Sequence, residues 1–119
     1  MQVHAHRIEE DVEVDVRHYR GILKQRVRYY LAQREAGVPA VGAAMLDLII
    51  LGNLEGCIMD IESLSDVMDV SRTLVRHHLM ELIRDGWVEV RQSSLGASLH
   101  ASEKAATFAD QWIGIASAE

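Results

Sequence analysis

From Val12 onward, apolar residues recur at positions 12, 16, 19, 23, 27, 30 and 31. Those steps of three and four draw one stripe along a long helix. Gly37 and Pro39 end it, since Gly is favoured just past a helix and Pro cannot continue one. A helix over 12–36 is predicted, with 1–11 as a flexible arm. The next segment, Val41 to Leu54, carries Met45, Leu46, Leu48, Ile49, Ile50 and Leu51 almost without a polar face, so it is expected to be buried on most sides.

Shorter signals follow. Cys57-Ile58-Met59 reads as an isolated strand. Asp60 can cap a short helix, Ile61 to Met68, with Glu62 favourable near its start. Asp69-Val70 is a tight connection, and Ser71 caps a helix to about Arg84 with Val75, Leu79, Leu82 and Ile83 on one face. Trp87 to Arg91 alternates like a strand. Ser93 to Gly96 is a turn, Ala97 to Ala101 the returning strand, and Ser102 caps a last helix through Ala118. The fold class is mostly α with a small β-hairpin. It amounts to a winged helix-turn-helix core over 40–101, flanked by terminal helices at 12–36 and 102–118 within a single domain.

That order of elements carries a function. In a winged helix-turn-helix the short helix buttresses a longer one, whose outward face is free to enter the major groove of duplex DNA. Leu64, Ser65, Met68, Val70 and Ser71 have the required spacing, with small Ser65 where two helices approach. The outward positions near the start of the second helix are Arg72, Thr73, Arg76 and His77, which can hydrogen-bond base edges or phosphates. Ser71 and the wing residues Arg91, Gln92, Ser93 and Ser94 complete the candidate DNA-binding set.

The run Val70-Ser71-Arg72-Thr73-Leu74-Val75-Arg76-His77-His78-Leu79 resembles the recognition helix of the MarR family of bacterial transcription regulators. Leu82 to Arg91 is similar to that family's exit into the wing, and Ala101-Ser102-Glu103-Lys104-Ala105 to its Leu-Thr-Glu-Lys-Gly opening of the next helix. The likeness covers about residues 40–110. It implies a homodimer with interlocked terminal helices, and a small-molecule effector as a further partner. This wing is shorter than usual and lacks an acidic-basic tip, and one helix follows it where members commonly have more. The apolar stripes point the same way: Val16, Tyr19, Leu23, Val27, Tyr30 and Leu31, with Phe108, Trp112, Ile113 and Ile115, have few partners within one subunit and are the expected dimer interface.

Charge complicates the DNA reading. The net charge is −6, but it is blocked along the chain. Arg17, Arg20, Lys24, Arg26, Arg28 and Arg34 stand in 17–34 with no acid, whereas 35–69 holds seven acids and no Lys or Arg. The face presented to a polyanion matters more than the total, because exposed charges beyond ~10 Å are largely screened at 0.1 M salt. The acidic block is expected to lie mainly away from the DNA. The other reading of the acidic chain and weak wing is a protein-protein interaction module without DNA binding.

Other chemistries find little support. Cys57 has apolar neighbours and is expected to be buried and inert; alone, it offers no internal disulfide. His4-x-His6 beside Glu9 and Glu10 has ligand-type residues but no defined second shell, and adjacent His77 and His78 diverge by about 100° on a helix, so no metal is expected. No phosphate loop, nucleophile-base pair or carboxylate pair is present, so neither an enzyme nor a cofactor is expected. The longest apolar run, Met45 to Leu51, is broken by Asp47 and too short for a membrane span; the expected location is the cytoplasm.

Overall fold

The computed structural model describes residues 2–113, with side chains from Val16 to Trp112. The elements run α1 (Gln2–Glu35), α2 (Ala40–Glu55), α3 (Ile61–Met68), α4 (Arg72–Arg84), β1 (Val88–Ser93), β2 (Gly96–Ala101) and α5 (Glu103–Ile113). The first helix begins at Gln2 rather than Val12, so residues 2–11, expected as an arm, continue the helix. The physical reason is local: nothing before Gly21 is Gly or Pro, and Ala, Glu and Arg favour helix. Ile115 and the far end of the expected C-terminal helix lie outside the described residues, as do the side chains of His4, His6 and Ile113.

The core forms around α2. Met45, Leu46 and Ile49 are sealed from solvent, and Leu64 of α3, Val75, Leu79 and Leu82 of α4, Val88 and Leu99 of the hairpin and Ala105 of α5 close over them. The expectation of a helix buried on most sides holds for half of it only: Leu51 and Leu54 are exposed. α1 reaches the body late. Residues 16–28 are exposed throughout, and only from Tyr29 onward do Tyr29, Ala32 and Gln33 become buried. The Cα radius of gyration, 17.6 Å, accordingly exceeds the ~13.5 Å expected of a compact chain this long.

Caps form where the sequence called for them. Asp60 Oδ1 accepts from Ser63 N at 2.7 Å, and Ser71 Oγ accepts from Leu74 N at 3.1 Å. The Ser63 N–H also holds the Asp60 carboxyl below its ordinary value. Between α3 and α4 the chain turns through Asp69, in the left-handed region at φ 54°, which Asp tolerates better than most residues. Ser65 Oγ locks this turn by donating to Val70 O at 2.5 Å.

The hairpin is tied to the body along its β2 edge. β1 and β2 pair antiparallel from Val88↔Ala101 to Ser93↔Gly96. On the other side of β2, Asn53 of α2 donates from Nδ2 to Leu99 O at 3.2 Å and accepts from Ala101 N at 2.8 Å. Met59 O accepts from Leu99 N at 3.1 Å, all that the isolated strand at Cys57–Met59 amounts to. These bonds satisfy an edge that would otherwise be open. At the base, Ser102 Oγ donates to Gly86 O at 2.6 Å and accepts from Ala105 N at 3.1 Å, so one hydroxyl both caps α5 and holds the start of the wing.

Two glycines of α2 play opposite parts. A Cβ at Gly52 would stand 2.5 Å from Cys57 O and 3.1 Å from Met59 Cγ, so the return of the chain over the helix requires glycine there. At Gly42 the nearest atoms would be 3.6–3.7 Å away, an ordinary contact. Gly52→Ala should therefore destabilise by ~1–3 kcal/mol as an overpacking change, whereas Gly42→Ala should stabilise by ~0.5–1 kcal/mol through helix propensity. Urea denaturation of the two variants checks the opposite signs.

Candidate nucleic-acid interface

α4 turns its apolar side inward through Val75, Leu79 and Leu82, leaving Arg72, Thr73, Arg76 and His77 exposed on the opposite face near its N-terminus. Helical spacing alone produces this, because the four polar positions fall between the core positions. The structure brings Arg72 and Arg76 into one groove of about 340 Å³ between the start of α3, α4 and the hairpin, lined also by Asp60, Glu62, Val90 and Ala97. Two members of the acidic block thus stand beside the arginines rather than away from them. Thr73 and His77 lie on the other flank of Arg76, with Met80 and Arg84. His77 Nε2 is 3.4 Å from Glu81 Oε1, and half-buried His78 approaches the same carboxylate at 4.0 Å.

The wing residues Arg91, Gln92, Ser93 and Ser94 are all exposed. Its tip is a short loop, Ser94-Leu95, followed by Gly96 at φ 113°. Ser93 Oγ accepts from Leu95 N at 3.2 Å and donates to Gly96 O at 3.3 Å, so the tip is held by its own side chain. Leu95 is 98% exposed.

Of the residues expected at a dimer interface, Val16, Tyr19, Leu23, Val27, Tyr30, Leu31 and Trp112 are indeed exposed. Phe108 is not with them. Its ring packs within the subunit, 5.3 Å from Trp87, 6.0 Å from Tyr29 and 6.3 Å from Trp112, and joins α1 to α5. Buried Trp87 is covered in turn by Lys104, whose Nζ lies 4.1 Å above the ring and donates to Asp85 O at 2.8 Å.

Cys57 is exposed, contrary to its expected burial. Gly56, left-handed at φ 75°, ends α2, and Cys57 N then donates to Gly52 O at 2.9 Å. The backbone of Cys57 packs on the helix and its side chain is left outside. Apolar neighbours in sequence were a poor guide because Leu54 and Ile58 are exposed as well.

A second concave feature was missed by the sequence reading. Between α1 and α2 lies a cleft of about 770 Å³, walled by residues such as Leu23, Val27, Ile50, Leu51 and Leu54. At its edge Asp47 Oδ1 accepts from Tyr29 Oη at 3.0 Å and from Gln33 Nε2 at 3.1 Å. The signal was a carboxylate interrupting the run Met45 to Leu51, together with a glutamine, Gln33, on the stripe that packs inward.

No sequence-family model matches this chain, and no curated protein sequence matches it. Solved structures do. A transcriptional regulator from Thermotoga maritima superposes with a TM-score of 0.67 at 17% identity, over 86% of this chain and 72% of the other. The MarR protein from Peptoclostridium difficile gives 0.58 at 17% identity, over 87% and 69%. A MarR/EmrR family transcriptional regulator from an Acinetobacter species gives 0.59 at 10% identity, over 93% and 77%. The fold is MarR-like. At these identities the likeness establishes the winged-helix architecture, and the roles of individual side chains rest on their geometry. Among the described residues no single helix is long and apolar enough to cross a membrane.

Partial withdrawal from water raises the Asp47 carboxyl above its ordinary value, against the lowering effect of the bonds from Tyr29 and Gln33 and of the Arg26 charge. A raised carboxyl favours the folded state while protonated, and that advantage is lost as pH rises through its titration. Asp47→Asn, which can still accept both bonds, should therefore melt above wild type at pH 7. The gap should narrow as pH falls below the carboxylate range, and paired thermal melts at pH 7 and pH 3.5 measure it.

Proposed function

We propose that this protein is a sequence-specific, double-stranded DNA-binding transcriptional regulator that works as a homodimer, with α4 in the major groove. The observation that carries this reading is the exposed quartet Arg72, Thr73, Arg76 and His77 on the first turns of α4, in a helix whose other face is fixed in the core. A helix anchored in this way offers donors to guanine and phosphate at a defined angle. Several of the solved structures that share the fold, those from Thermotoga maritima and an Acinetobacter species among them, are described as transcriptional regulators, which supports the same class. Ser71, Arg91, Gln92, Ser93 and Ser94 would add contacts to the DNA backbone. As a DNA-binding protein it would act where the genome is, in the cytoplasm of a bacterial cell.

Homodimerisation is part of the proposal. The helix α1 leaves Val16, Tyr19, Leu23, Val27, Tyr30 and Leu31 open to water on a segment that the rest of the subunit does not cover. An apolar stripe of that length asks for a partner, and a second copy across a two-fold axis supplies one with no further component. Two such subunits would set their α4 helices to read half-sites one helical turn apart, ~34–36 Å. The α1–α2 cleft, apolar with Asp47 at its edge, is where a small-molecule effector would bind.

Two measurements follow. Light scattering at micromolar concentration should give twice the 13.3 kDa chain mass, and Leu23→Glu with Val27→Glu should return the monomer; a wild-type monomer contradicts the assembly. Arg72→Ala or Arg76→Ala should weaken binding to the preferred duplex by ~1–3 kcal/mol where the contact is bidentate to a base. Where the contact is to phosphate, the loss should be uniform across sequences and the salt slope should drop by about one. A double variant that binds like wild type contradicts the DNA assignment, and the protein-interaction module then becomes the better reading.

A further inference from the structure

Arg72 does not stand free on the recognition face. Its Nη2 donates to Glu62 Oε1 at 2.9 Å, joining the first turn of α4 to the first turn of α3. The two side chains are 60% and 67% exposed, and an ion pair so open to water adds little to stability. Glu62 also faces the groove that holds both recognition arginines, where a carboxylate repels a polyanion. Asp60, at the same end of α3, turns its carboxylate back onto Ser63 N. Glu62 instead spends its carboxylate on Arg72, while Arg76 has no ion-pair partner within 4.0 Å among the described residues.

The chemistry of guanidinium gives this contact a use. The group carries five N–H donors in one rigid plane. A single bond at Nη2 restrains the group toward the groove and leaves the remaining donors available, two of which suffice for the paired contact to guanine O6 and N7. An arginine already held loses less side-chain freedom when it docks. We propose that Glu62 is a positioning residue that orients Arg72 for reading guanine, lowering non-specific attraction to DNA and raising discrimination at one base pair. This rests on the DNA-binding reading.

The test starts with the full-length wild-type protein and a randomised duplex library. The base pair whose preference is lost in Arg72→Ala is the one Arg72 reads. Dissociation constants are then measured by fluorescence anisotropy between 50 and 200 mM salt, on the selected duplex, on the duplex changed at that pair, and on a scrambled duplex. Glu62→Ala should bind the scrambled duplex several-fold more tightly, with a steeper salt dependence. Its discrimination at the Arg72 pair should fall about three- to fivefold, the range an exposed pair can supply, while preferences elsewhere in the site stay as in wild type.

Glu62→Gln, whose amide oxygen can still accept from Arg72, should keep discrimination within about 1.5-fold of wild type while sharing the gain in non-specific affinity. A merely structural role for Glu62 would move all positions together. Glu62→Ala that discriminates at that pair like wild type overturns the proposal. So does a library from which wild type selects sequences but Arg72→Ala keeps every preference; there the DNA reading survives and Glu62 has nothing to position. A wild type that selects no sequence removes the DNA reading itself, and this inference with it.

Discussion

Burial of one side of α2 is the constraint on which everything else hangs. Met45, Leu46 and Ile49 are apolar groups that water would otherwise hydrate, and each is 1% exposed or less. Covering them takes four different elements: α4 through Val75, Leu79 and Leu82, α3 through Leu64, the hairpin through Val88 and Leu99, and α5 through Ala105. Once α4 is committed by that face, the angle of its opposite face is no longer adjustable. The same helix supplies Asn53, whose amide sets the height of β2 and hence of the wing beside α4. α4 and the wing thus owe their relative placement to a single buried helix, and the proposed reading of DNA would need that rigidity.

Electrostatics shapes how that surface can be used. With a net charge of −6, the chain cannot rely on a broad positive field, and its wing carries one cation, Arg91. The sharper device is local: two arginines in one groove, one paired with Glu62 and the other free of ion pairs among the described residues. If this surface meets DNA as proposed, its binding would depend less on counterion release than a basic interface does, and more on geometry.

Much of the fold was legible because the period of the apolar residues changes at each junction and the junctions are marked. Asp60, Ser71 and Ser102 announced their helices as caps, and each bonds as a cap should. The outward residues of α4 followed from the same periodicity. What escaped was long-range. Phe108 sits on an apolar face like Trp112, and only the approach of Trp87 and Tyr29 turns it, half-buried, against the core. Cys57 lies in an apolar run yet faces water, since a left-handed glycine decides where it points. The partnership of Glu62 with Arg72 spans ten positions and two helices, and no local pattern encodes it. The early start of α1 was missed for the opposite reason, because a polar segment without breakers forms helix without an apolar stripe to signal it.

The central claim is that the outward face of α4, with the wing beside it, is the surface that meets DNA. Amide-resolved NMR of the whole protein, titrated with a short mixed-sequence duplex at low salt, tests it most directly. The account predicts shifts concentrated at Ser71 to His77 and at Arg91 to Ser94, reversed by added salt, with the α2 core unmoved. Shifts centred on α1 or α5 instead, or none at any salt concentration, would contradict it.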